Sequence, residues 1–400
     1  LRRGPAAALL ALAQWASGDL EEAYQTLANA MTNFEIVGSL HFAISGTYGL
    51  ADIRTTQGRL RDAIKTYTRT LQLALTQGEP LLRGTADLYL GLSELYREQG
   101  DLHAAAQNLL HSERLGDQAA LPDWRYRLCR TQSRFKVTQG DLAGALDLLD
   151  EAERHYRRTP VPDVRPITAL RTRVWLAQGR VNEALRWVQE MELSVDDELG
   201  FLREFEHITL ARVLIAAHSI PEAMRLLDRL LQAAQDGGRM GSVIEIRVLQ
   251  ALAHESQGDL VPALGALEQA LRLAEPEGYV RIFVDEGLPM AQLLSEAAAH
   301  GMMPDYTDKL LAVFGAEHHR SAGESSSRAL ASSQPLIERL SERELEILRL
   351  IAQGLSNHEI GERLFLALST VKGHNQKIYD KLQVQRRTEA IARARDLGLL

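Results

Sequence analysis

A chain of 400 residues that is 45% apolar and 24% charged has the make-up of a soluble protein and the length for two or more folding units. Its one cysteine, Cys129, excludes an intrachain disulfide and a cysteine-based metal cluster, which fits a reducing cytoplasm, and a small buried helix residue is its expected role. The longest apolar run, Ala6 to Ala13, is too short to span a bilayer, so no membrane partner is expected. H-E-x-x-H, G-x-S-x-G and G-x-G-x-x-G are all missing, and the chain is not expected to be an enzyme.

The opening residues, LRRGPAAALLALAQWASG, imitate a signal peptide, with arginines, an apolar stretch and small residues. They are also in phase as a helix directly ahead of GDLEEA, and that is the reading adopted. With no initiating Met, the chain is expected to begin mid-protein.

Repetition organises the residues from Gly18 to Ala263. The pattern G-(D/R)-(L/V)-x-x-A starts at Gly18, Gly58, Gly100, Gly140, Gly179 and Gly258, with a degenerate copy, HSIPEA, at His218. Successive offsets are 40, 42, 40, 39, 39 and 40 residues, a period that predicts a solenoid of stacked units. Glycine ends one helix in a left-handed conformation, aspartate caps the next, leucine enters the joint, and alanine lets the two helices approach. Helices such as 85–99 and 142–156, apolar at three-and-four spacing, flank the motif.

These repeats resemble tetratricopeptide units, with a period close to that of the superhelix in MalT-type regulators; EGYVRIFVDEGLPMAQLL, Glu277 to Leu294, is similar to the same family. The resemblance implies a concave face that takes a small-molecule or protein inducer. Tyr48, Arg54, Tyr89, Tyr96, Trp124, Arg127, Arg171 and Trp175 are candidates for that face, although packing between helices is the commoner role of such aromatics. MalT-type regulators carry an ATP-binding domain ahead of the repeats. This chain has no phosphate-binding loop and no Gly-Lys pair, so no cofactor is expected in it, and ATP would belong to an N-terminal portion outside it.

After a helical extension at 276–316, residues 317–335 are rich in Ser, Ala and Gly and predict a flexible linker, with His318 and His319 solvated. The last stretch, 336–400, is read as a separate domain. It holds 11 Lys or Arg against 9 Asp or Glu, a net of +2, whereas the preceding 335 residues carry 34 against 44. Ser341 with Glu344 predicts a capping box, Gly354 a helix stop, and Ser356 a second cap. Leu345, Leu348 and Ile351 or Ala352 predict one apolar stripe and Ile360 with Leu364 a second. Phe365 to Leu368 make the turn. Val371, Ile378 and Leu382 point a third helix inward, leaving Lys372, Gly373, Gln376, Lys377 and Lys381 outward.

The strings LSERELEIL, GLSNHEIGERL, STVKGH and IYDKLQV resemble the C-terminal helix-turn-helix of LuxR/FixJ-type transcription regulators. That resemblance implies base contacts from Lys372, Gly373 and Gln376, and phosphate contacts from Thr370, His374, Lys377, Lys381, Arg386 and Arg387. It also implies a fourth helix, 388–397, that pairs in dimers. Ala367, Gly361, Gly373 and Gln376 depart from the family pattern; a missing cap costs roughly 1 kcal/mol and a mid-helix glycine about as much again.

The expected architecture is therefore all-α: about seven helical hairpins in a tetratricopeptide-like solenoid over 1–275, its extension, the linker, and a four-helix helix-turn-helix domain. The expected function is a cytoplasmic regulator that binds double-stranded promoter DNA as a homo-oligomer, within reach of RNA polymerase, and answers to an inducer on the superhelix. The alternative is a repeat scaffold for protein interactions whose C-terminal domain pairs helices without binding DNA.

Overall fold

A computed structural model describes residues 3–76, 81–157, 159, 161–331, 342–352, 355, 357–364, 366, 368–382, 390 and 394. Side chains at 3, 318–331, 342, 358, 362, 368, 369, 372, 376, 379, 380 and 382 lie outside that description. The chain divides into two compact units, Leu1–Phe314 and Gly315–Leu400.

Seven helical hairpins build most of the first unit. They pair α1 (Arg3–Ser17) with α2 (Leu20–Ile36), α3 (Leu40–Thr56) with α4 (Leu60–Thr76), and α5 (Thr85–Glu98) with α6 (Leu102–Leu115). Next come α7 (Trp124–Thr138) with α8 (Leu142–His155), α9 (Ile167–Ala177) with α10 (Val181–Glu190), α11 (Glu204–Ala216) with α12 (Ile220–Asp236), and α13 (Met240–Ser256) with α14 (Leu260–Ala274). The short α15 (Arg281–Val284), α16 (Leu288–Ala299) and α17 (Pro304–Ala331) complete the order. The opening segment is helix α1, with Ala11 and Trp15 buried in the first hairpin.

The repeat motif works largely as its chemistry predicts. Its six glycines adopt φ between 72° and 92°, and in every turn the following amide returns to a carbonyl five residues back, as Asp101 does to Tyr96 at 2.9 Å. That is the glycine-dependent end of a helix. In the degenerate copy His218 takes the same conformation at φ 59°. All seven motif alanines, from Ala23 to Ala263, are at 0% exposure, because a larger side chain would force the hairpin apart. Two expectations fail in part. Asp101 and Asp141 accept the N-terminal amides of α6 and α8 at 2.9 Å, but neither Asp19 nor Asp259 caps its helix; Asp19 accepts the hydroxyl of Ser17 instead. Leu20 and Leu60 are buried, while Leu260, on the last outer helix, is 39% exposed.

The solenoid closes on itself. The Val280 amide donates to the Glu98 carbonyl at 2.9 Å, Gln99 Nε2 to the Glu277 carbonyl at 2.9 Å, and Arg97 pairs with Asp285 at 2.6 Å. Tyr279, Val280 and Phe283 enter the same apolar cluster as Leu60, Leu88 and Leu92. The extension thus bridges the turns of the second and third hairpins to the seventh.

Residues Glu317–Ala331, expected to be a flexible linker, instead continue helix α17. No proline interrupts the chain between Pro304 and Pro335, and its alanines and arginines favour helix where serine and glycine alone suggested a loop. The side chains of His318 and His319 lie outside the described residues.

Candidate nucleic-acid interface and solenoid lumen

In the second unit, α18 (Glu342–Ala352), α19 (Asn357–Leu364) and α20 (Leu368–Leu382) surround Ile347, Leu348, Ile351, Ile360, Val371 and Ile378, each at 0% exposure. Leu345 and Leu364 are half-buried against them, and Ala390 and Ala394 join the core. Of the capping residues, Ser341, Gly354, Ser356 and Ala367 lie outside the described residues, as do most of the expected fourth helix and the side chain of Leu382.

The inner stripe of α20 is Val371, Asn375 and Ile378, and the opposite side exposes Thr370, Gly373 and Lys377. Three- and four-residue spacing puts those three on one face. His374 is half-buried between the two faces, and its Nδ1 is buried without a partner. Lys372 and Gln376 lie on α20 with side chains outside the described residues; Arg386 and Arg387 lie outside them altogether. Lys381 departs from expectation: it is half-buried, with Nζ 3.0 Å from Glu344, whose side chain is 6% exposed. Removing the ammonium would leave that buried carboxylate short of a partner, so Lys381 contributes to the fold.

Two features were not legible in the motif. Asn375, 6% exposed, donates to Asn357 Oδ1 at 2.8 Å and so ties α20 to α19. Gly361, expected to cost stability, permits a close turn: a Cβ there would lie 2.9 Å from the Leu366 carbonyl oxygen, while the Leu366 amide donates to the Gly361 carbonyl at 2.9 Å.

In the solenoid, the eight candidate residues separate. Tyr48 and Arg127 line one small central cavity together with Glu94, Arg130 and Thr131, and the Arg127 guanidinium lies 4.3 Å from the Tyr48 ring centre. Arg127 also pairs with Asp87 and, at 3.1 Å, with Asp123. The others pack between helices. Trp124 donates to Ser112 at 2.9 Å, Tyr89 stacks on His111, and Tyr96 and Trp175 cover apolar clusters. Arg54 lies 3.4 Å over Tyr24, and Arg171 reaches Asp150 and Glu153 of α8 at 2.8 and 2.7 Å.

A different set forms the wall of the lumen. Asp52, Glu94, Arg134, Arg173 and Arg212 each stand six residues before the motif glycine or, for Arg212, before His218. The period therefore places them at one register position of five successive first helices. Thr131 donates to Glu94 at 2.8 Å, Arg134 pairs with Glu98 at 3.2 Å, and Arg173 donates to Thr209 at 2.9 Å. Arg173 and Arg212 converge on Glu245 of α13 at 2.7 and 2.8 Å, and Arg212 also reaches Glu286 at 2.7 Å. Aligning the repeats on their glycines would have exposed this column. Burial alone would raise the Glu245 carboxyl, but the two guanidiniums outweigh it and hold the group at about 2. Burial likewise opposes ionisation of Glu94, and Arg134, Arg130 and the Thr131 hydroxyl bring it below the ordinary carboxylate range. Cys129 is buried in the helix packing, as expected, and burial pushes its thiol up to about 11.

Comparison with known proteins agrees with this two-part construction. The family model described as the MalT-like TPR region matches residues 1–300, and that of bacterial regulatory proteins of the luxR family matches residues 338–394. The HTH-type transcriptional regulator MalT of Vibrio cholerae is 25% identical over 245 residues, 56% of this chain and 26% of that protein. MalT of Serratia proteamaculans is 25% identical over 381 residues, 89% of this chain and 41% of that protein. The chain thus spans less than half the length of these curated relatives. Among solved structures, a Rap protein complexed with Competence and Sporulation Factor is 13% identical, with a TM-score of 0.47 over 90% of this chain and 98% of that one. The repeats and the terminal helix-turn-helix together place the chain in the MalT-like, LuxR family of regulators.

Proposed function

We propose that this chain is the sensing and DNA-binding part of a transcriptional regulator: the solenoid responds to an inducer or partner, and the helix-turn-helix binds double-stranded promoter DNA. The observation that carries the reading is the exposed face of α20, where Thr370, Gly373 and Lys377 lie opposite the buried stripe, the arrangement in which a recognition helix enters a major groove. Lys372, His374, Gln376, Lys381, Arg386 and Arg387 complete the proposed contact set by resemblance.

A domain of net charge +2 neutralises few phosphates, so homo-oligomers on DNA are part of the proposal, as is a position that reaches RNA polymerase. In this proposal the protein acts in the cytoplasm, without catalysis and without a cofactor in residues 1–400. Among the described residues no helix is long and apolar enough to cross a membrane.

Gel-shift titrations of the full chain against promoter fragments at two salt concentrations test this. Lys377→Ala should weaken binding to all sequences and reduce the salt slope by about 1, while Lys372→Ala should reduce discrimination between them. Indifference of both variants, or no binding at moderate salt, would instead favour a repeat scaffold.

A further inference from the structure

The connection between α8 and α9 does not take the short way round. Val161 packs on the apolar cluster of the first two hairpins, which holds Trp15, Leu20 and Ile53, although it comes after the fourth hairpin in sequence. The segment therefore reaches from the fourth hairpin to the first two. Asp163 accepts from the Tyr126 hydroxyl at 3.3 Å and lies 4.0 Å from Arg130. Two residues on, half-buried Arg165 acts by its charge on Asp52 of α3, Glu94 of α5 and Glu245 of α13.

The segment is positioned but lightly held. Among the described residues, none of the amides at 161–165 donates a backbone hydrogen bond, and the ion pair of Asp163 with Arg130, at 4.0 Å, lies at the outer limit of such a contact. Prolines at 160, 162 and 166 favour an extended chain with little entropy left to lose, and Pro166 itself has φ −63° and ψ 146°. Beside it the cavity of about 20 Å³ has room for about one water. The wall thus carries carboxylates at its second and third hairpins and arginines at its fourth to sixth, of which Arg173 and Arg212 share Glu245.

We infer that residues 161–166 are a resident stand-in for a ligand. The lumen is a groove for an extended peptide carrying an acidic and a basic side chain two residues apart, and that peptide displaces the resident segment. The inference deepens the proposed sensing role and rests on it for its biological meaning.

The test uses the full chain and a fluorescein-labelled peptide of sequence Thr-Pro-Val-Pro-Asp-Val-Arg-Pro, measured by anisotropy without DNA. Because a tethered segment competes at high effective concentration, the variant Asp163→Ala with Arg165→Ala should bind the peptide at least tenfold more tightly than wild type. The isosteric pair Asp163→Asn with Arg165→Gln should behave alike and guards against a folding defect. A peptide with both charged residues replaced by alanine should bind at least tenfold more weakly. Equal affinity of wild type and variants, equal affinity of the two peptides, or displacement by an uncharged oligosaccharide but not by unlabelled peptide overturns the inference. Peptide binding that leaves promoter affinity unchanged would keep the groove and remove its role in regulation, so the two failures are distinguishable.

Discussion

His218 is the residue at which the repeat departs from its own rule. Its φ of 59° costs a side chain roughly 1–2 kcal/mol, offset in part by the greater entropy glycine loses on folding. His218→Gly should therefore stabilise the chain by about 0.5–1 kcal/mol, read as a higher midpoint in urea. In the terminal domain, Lys377 and Lys381 differ in what they contribute to the fold. Lys377→Ala should leave the melting temperature unchanged while weakening DNA binding, whereas Lys381→Ala should lower it, by about 1–2 kcal/mol of stability, because Glu344 loses an ammonium partner while buried. Sequence placed both lysines outside; four positions along the same helix were enough for one of them to turn back to a buried carboxylate.

At the scale of elements, the hairpin depends on its alanine. Ala145, at 0% exposure between α7 and α8, has no room for a longer side chain, and Ala145→Leu should cost about 1–3 kcal/mol in chemical denaturation. The ladder of first helices adds a dependence on pH. Glu245 is held at about 2 in the fold, against about 4.3 in the unfolded chain. Its contribution is therefore fully present above pH about 4.3 and lost as pH falls from there through about 2, on the order of 3 kcal/mol in all. Urea midpoints taken across that range should fall in wild type, with a shallower fall in Glu245→Gln. The hairpins themselves were legible, since glycine, the residue after it and alanine each act within a few residues. The column six places before each glycine was equally present in the sequence, but a charge at one register position acquires meaning only when neighbouring helices supply its partner.

At the scale of the whole molecule, closure makes the solenoid more than a stack of nearest neighbours. A linear array would unfold piecemeal, but contacts such as Arg97 with Asp285, 188 residues apart, couple the third hairpin to the extension. Asp285→Ala would leave Arg97, 2% exposed, short of its nearest carboxylate, at a cost of about 3 kcal/mol. Hydrogen exchange should then show faster opening in both α5 and the 275–285 segment, not in one alone.

Sequence by itself determined the helical period, the seven turns, the alanine joints and the terminal helix-turn-helix, because each rests on backbone conformation and on side chains close along the chain. Tertiary structure alone decided which charges face one another between the first helices, that the extension packs against the second and third hairpins, that Val161 meets the first two, and that Lys381 pairs with a buried carboxylate. Those outcomes depend on partners brought together from distant parts of the chain, and the desolvation that decides between pairing and exposure arises only once packing has removed the water.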